Sequence, residues 1–85
     1  MLEICRFLGI VITRYYKDHG PPHFHAIYGD YAVTISIREE SVTGKFPTRA
    51  LRLVLEWCEL HKEELLENWE LAQQRRALKS IAPLE

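Results

Sequence analysis

His23-Phe24-His25-Ala26-Ile27-Tyr28-Gly29-Asp30-Tyr31-Ala32-Val33-Thr34-Ile35-Ser36-Ile37 is the stretch on which the fold turns. Its second half alternates: Tyr31, Val33, Ile35 and Ile37 fall on one side, and Ala32, Thr34, Ser36 and Arg38 on the other. A period of two marks a strand with one buried and one wetter face. Gly29-Asp30 is a two-residue hairpin signal with glycine first, so His23 to Tyr28 is expected to be the strand paired with it. Upstream, residues 7–16 (Phe-Leu-Gly-Ile-Val-Ile-Thr-Arg-Tyr-Tyr) are rich in β-branched and aromatic types and read as one more strand, with Gly9 a bulge or a late start. Lys17 to Pro22 form the loop between them. Downstream, Glu39-Glu40 turns the chain into Ser41 to Phe46, a weaker strand interrupted by Gly44. Short connections imply an antiparallel meander of three to four strands.

Pro47 closes the strand region, and the period then becomes helical. Thr48 is the expected N-cap, with Pro47 at the first helical position as the alternative. Leu51, Val54, Leu55 and Cys58 share one face, and Ala50, Leu53, Trp57 and Leu60 a second, so the helix should lie between two layers. Leu65, Leu66, Trp69 and Ala72 continue the pattern. A single helix from Thr48 to Gln74 would be about 40 Å long, while a domain of this size is about 30 Å across. A break near Leu60 to Lys62 is therefore expected. The fold class is α+β: a three- to four-stranded antiparallel β-meander followed by two packed α-helices. It forms one domain over 1–85, with a sheet part at 7–46, a helical part at 48–74 and a tail at 75–85 in which Leu78 and Ile81 dock.

With 85 residues and 47% hydrophobic content the chain can bury one small core, which leaves room for homo-oligomerisation. Its formal net charge of −1 does not advertise nucleic acid, but the charges are unevenly placed. Glu56, Glu59, Glu63, Glu64, Glu67 and Glu70 crowd one segment, opposed there only by Lys62. Arg14, Lys17, Arg49, Arg52, Arg75, Arg76 and Lys79 lie elsewhere. Cys5 and Cys58 match no zinc or redox spacing and read as core residues in a reducing cytoplasm. Glu3 and Arg6 argue against a signal peptide, and the apolar run Phe7 to Ile12 is too short to span a bilayer. A cytoplasmic protein away from the membrane is expected.

Three of the four histidines fall in Asp18-His19-Gly20-Pro21-Pro22-His23-Phe24-His25. His23 and His25 share a strand face, with side-chain origins roughly 6.5–7 Å apart, and His19 lies across the turn. Arg14 and Tyr16 share a face of the preceding strand, as do Tyr15 and Lys17. Register decides which set lies beside the histidines. One reading is metal-free RNA cleavage, which needs a base for the 2′-hydroxyl, an acid for the leaving oxygen and cations for the phosphate. His23 and His25 would move the protons, with His19 as a third carrier. Arg14 and Lys17 would hold the phosphate, Tyr16 would position the substrate, and Asp18, Gly20, Pro21 and Pro22 would shape the site. That chemistry needs no metal and no cofactor. A second reading makes the turn part of a non-enzymatic protein- or nucleic-acid-binding module. A third makes His23 and His25 metal ligands completed by His19, Asp18 or a partner's carboxylate. His61, one helical turn after Trp57, is expected to pack on that ring or cap a helix end.

The same residues carry a resemblance. Phe7-Leu8-Gly9-Ile10-Val11-Ile12, Tyr16, Asp18 through Ala26 and Tyr28-Gly29 are similar to the bacterial family called domain of unknown function 4160, as is the block Arg49 to Trp57 with Leu60-His61 and Glu64 to Trp69. The likeness implies the toxin-like half of a toxin–antitoxin module, with a small antitoxin-like protein as partner. Trp57 and Trp69 read as core.

Overall fold

The computed structural model describes residues 2–15 and 19–84. Five strands, β1 (Leu2–Phe7), β2 (Ile10–Arg14), β3 (His23–Tyr28), β4 (Tyr31–Ser36) and β5 (Val42–Lys45), pair in chain order as one antiparallel sheet. Two helices follow, α1 (Thr48–Leu60) and α2 (Lys62–Gln73). The α+β meander with two helices is therefore present, with five strands where three to four were expected. The extra strand comes from splitting 7–16. Phe7 pairs with Ile10, so Leu8 and Gly9 form a two-residue hairpin turn, and both have positive φ, 50° and 82°. Asparagine, aspartate or glycine usually announces such a turn. A leucine in the first position hid it inside an apolar run. Residues 2–7 then alternate well enough to form β1, with Cys5 and Phe7 buried and Arg6 exposed.

The Gly29-Asp30 hairpin forms as read: Tyr28 pairs with Tyr31, and Gly29 has φ +58°. Ser41 to Phe46 contributes β5 despite Gly44. That glycine has φ +115°, and a Cβ there would lie 2.7 Å from the Ala32 carbonyl oxygen. β5 can lie this close to β4 because the side chain is missing.

Directly opposed residues of an antiparallel pair share a face. The row Cys5, Ile12, Ala26, Val33 therefore points to one side, joined there by Phe24 and Ile35. All six are buried under α1. Trp57, fully buried, lies with its ring centroid 5.7 Å from Phe7 and 5.8 Å from Phe24. The row Glu3, Thr13, His25, Thr34, Thr43 points to the other side.

Pro47 is the N-cap of α1 and Thr48 its first helical residue, with no side-chain capping bond, so Thr48 does not cap. A proline there has fixed φ and no N–H to lose, which suits the approach to a helix. The expected break falls at His61, which ends α1 and begins α2 with φ −116°. Its ring packs against Trp57 at 5.6 Å and its Nδ1 meets Glu64 Oε1 at 2.6 Å. The break fits the helices into a body measuring 34 × 24 × 22 Å. α2 ends with Arg75 at φ +57°, Arg76 N–H donating to Leu71 O and Arg75 N–H to Ala72 O, a double closure that reverses the chain. The tail then returns. Asn68, buried, donates from Nδ2 to Lys79 O (2.8 Å) and accepts from Lys79 N–H (2.9 Å). Trp57 Nε1 donates to Ala82 O at 2.8 Å, and Ile81 is buried. Among the described residues no helix is long and apolar enough to cross a membrane.

Candidate functional site

β2 ends at Arg14 and β3 begins at His23, at one end of the sheet. The Gly20-Pro21-Pro22 turn leads directly into β3, and both of its proline carbonyls are occupied. Pro21 O accepts from His23 Nδ1 at 3.0 Å, and Pro22 O accepts from Ile37 N–H at 3.0 Å. A proline offers a carbonyl and no N–H, so the turn can only accept. That chemistry decides a tautomer. His23 must carry its proton on Nδ1 to make the bond, which leaves a lone pair on Nε2 when the ring is neutral.

His23 and His25 share a face, as their spacing predicts. Their ring centroids are 5.2 Å apart with planes at 90°. Both residues are half-buried. The ring of His25 is held on two further sides. Its Nδ1 is 3.2 Å from Thr34 Oγ1, which pairing places directly opposite, and the Tyr15 ring meets it at 5.3 Å and 71°. Nε2 of His25 is buried. On its other side His23 packs against Trp69 of α2, 5.1 Å between centroids. Trp69 also carries the Arg14 guanidinium, whose Cζ stands 4.2 Å from the indole centroid, within cation–π range. Tyr15, His25, His23, Trp69 and Arg14 thus form one chain of ring contacts around the end of the sheet.

Register settles which residues of the preceding strand join the pair. Thr13 opposes His25, so Thr13 lies on the histidine face and Arg14 on the other. Arg14 is 2% exposed, with Nε and Nη2 donating to Tyr15 O at 2.9 and 2.5 Å. Arg14 is the residue expected to hold a phosphate. A buried guanidinium needs hydrogen bonds and a polarisable partner, and the Tyr15 carbonyl and Trp69 provide both. Tyr15, 45% exposed, brings its ring against His25. Tyr16, Lys17 and Asp18, expected at the site, lie outside the described residues. His19 is exposed in the loop, and Gly20 is open, with nothing within 4 Å of where a Cβ would be.

Trp69 and Thr34 escaped the sequence reading of the site, and Tyr15 stood there as one of two sets between which register had to choose. Trp69 is buried as expected of core, yet it is also the platform for His23 and Arg14. Thr34 is found from pairing and Tyr15 from register, and neither can be assigned without the sheet in hand. Among the described residues no group of three or more His, Cys, Asp or Glu gathers to hold a metal, so His23 and His25 would be two ligands there. Both cysteines are buried, and burial pushes the Cys58 thiol up to about 11.

Compared with known proteins, the chain matches over residues 9–70 the model of a family described as Domain of unknown function (DUF4160). No curated protein and no solved structure matches it.

Proposed function

The chain belongs to the domain of unknown function family DUF4160, and from that premise and the geometry above we propose that His23 and His25 form an acid–base pair cleaving RNA without a metal. The protein would act in the bacterial cytoplasm as the toxin-like component of a toxin–antitoxin module, opposed by a small antitoxin-like protein. The observation that carries the proposal is the close, edge-on packing of two imidazoles whose nitrogens are assigned different tasks. His23, with Nδ1 committed to Pro21 O, offers Nε2 as the base for a 2′-hydroxyl. His25, with Nε2 buried, exchanges its proton through Nδ1 and the Thr34 hydroxyl. Protonated, it passes a proton by that route to the leaving oxygen. Tyr15 offers an exposed ring on which a base can stack. Arg14 becomes a positioning residue: it holds the Tyr15 carbonyl and braces Trp69, which backs His23.

The test is cleavage of a fluorogenic RNA oligonucleotide by protein purified in the presence of a chelator. Wild type should cleave it, and His23→Ala should lower the rate by about a hundredfold or more, the usual worth of a general base. Expression without any partner should slow growth in the wild type and not in the His23→Ala, His25→Ala double variant. If wild type cleaves no RNA and leaves growth unchanged, the enzymatic reading is lost. The burial of Arg14 favours one second reading: with that cation turned away, the histidine face would serve a non-enzymatic binding module. In that case RNA or a partner binds and is released intact.

A further inference from the structure

At the opposite end of the strands, the turn Leu8-Gly9 and the end of β3 meet the first turns of α1 around a cleft of about 360 Å³. Leu8, Tyr28, Pro47, Ala50 and Leu53 line it, and Arg49 supplies its charge. Leu8 has φ +50° and is 61% exposed, so a leucine occupies a left-handed turn position and shows its side chain to water. Gly9 lets the Tyr28 ring lie against this turn, since a Cβ there would stand 3.2 Å from Tyr28 Cε1. Tyr28 is itself 38% exposed. The first turn of α1 has no acidic residue and no side-chain cap, yet it carries Arg49 at the positive end of the helix. Arg49 and Arg52 are exposed, and among the described residues neither makes an ion pair. Among the described residues Arg49 is thus an unpaired cation beside an apolar floor, with Arg52 three residues further along α1.

We propose that this cleft is a docking site for an acidic, amphipathic segment of a partner protein. Leucine-sized side chains of the segment would enter between Leu8, Tyr28 and Leu53, and its carboxylates would meet Arg49 and Arg52. An apolar anchor flanked by carboxylates matches both features of the patch, whereas a basic or wholly polar segment matches at most one. The site is distinct from the histidine pair and does not depend on its chemistry.

Leu8→Asn separates docking from folding. Asparagine tolerates the left-handed turn, so the variant should melt higher, by roughly 4 °C or more, while losing the anchor. The probes are three synthetic twelve-residue peptides: one with glutamates and leucines at helical spacing, one with lysine for glutamate, and one with serine for leucine. Titrated into the labelled full chain, the Glu/Leu peptide should shift the amide resonances of Leu8, Tyr28, Arg49 and Leu53. The Lys and Ser peptides should not. Leu8→Asn should weaken binding by about tenfold, as should Arg49→Glu, which leaves the apolar floor in place. The proposal is overturned if the Glu/Leu peptide shifts no resonance there, if the Lys peptide binds as well, or if Leu8→Asn binds undiminished. Leu8-dependent binding to phosphatidylglycerol vesicles without peptide binding would assign the patch to a lipid surface and overturn it too.

Discussion

The two ends of the sheet depart from ordinary burial in opposite ways. At the end where the Gly-Pro-Pro turn leads into β3, polar and charged side chains are drawn in: Arg14 is buried, Asn68 is buried, and both histidines are half-covered. Each is held by a named partner, Tyr15 O for Arg14, Lys79 for Asn68, Pro21 O for His23 and Thr34 for His25. At the hairpin end, apolar side chains are left out: Leu8 and Tyr31 are exposed, and Tyr28 borders a cleft. Burying a polar group is tolerable when its hydrogen bonds are made. Exposing an apolar one on a strained turn brings a folded monomer nothing. A well-made fold breaks its own rules where it does something else. One end holds protonatable groups in fixed positions, and the other leaves apolar side chains on the surface.

The sharpest way to break this contrast is to remove the platform of the polar end. Trp69→Ala should destabilise the fold by about 3–5 kcal/mol, because Arg14 and His23 lose the ring between them together with the core volume. Denaturant unfolding measures it. A loss under 1 kcal/mol would mean that Trp69 is a bystander. Asn68→Ala should cost about 2 kcal/mol, since the backbone of Lys79 loses both bonds of the clasp. Amide exchange at Ile81 should then quicken, while exchange in β3 stays slow. At the hairpin end the sign reverses. Leu8→Asn should raise stability by about 1 kcal/mol, and a loss instead would show that Leu8 belongs to the core.

The smallest effect lies in the neutral middle. Cys58, pushed up to about 11 by burial, stays a thiol in the folded chain at pH values where the unfolded chain has begun to ionise. The unfolded state then binds fewer protons, so stability is complete below about pH 9 and falls as pH rises toward 11. Cys58→Ala should remove that slope, read as the pH dependence of Tm. Native Cys58 should meanwhile resist a thiol reagent at pH 8.

Much of the fold was readable because it depends on short-range periodicity. The alternation of Tyr31 to Ile37 marked a strand, Gly29-Asp30 marked its turn, and Pro47 marked the change of period. The helix break followed from a length argument, although neither glycine nor proline stands near His61. β1 was missed for a local reason too: Leu8 occupies a position where turn chemistry is usually announced by asparagine or glycine, so the turn read as strand. The sharing of one face by His23 and His25 was likewise legible, since residues two apart in a strand cannot do otherwise.

What the sequence by itself determined, then, is an α+β meander with two helices and a pair of imidazoles presented by a proline turn. Tertiary structure decided the company they keep. A one-residue change of register would exchange Thr13 and Tyr15 for Arg14 on the histidine face, and pairing of Thr13 with His25 chose the former. Trp69 reaches His23 from a helix more than forty residues away along the chain. Contacts of that kind carry no periodicity. They arise from how the elements pack and from where a buried guanidinium can find a carbonyl and a ring.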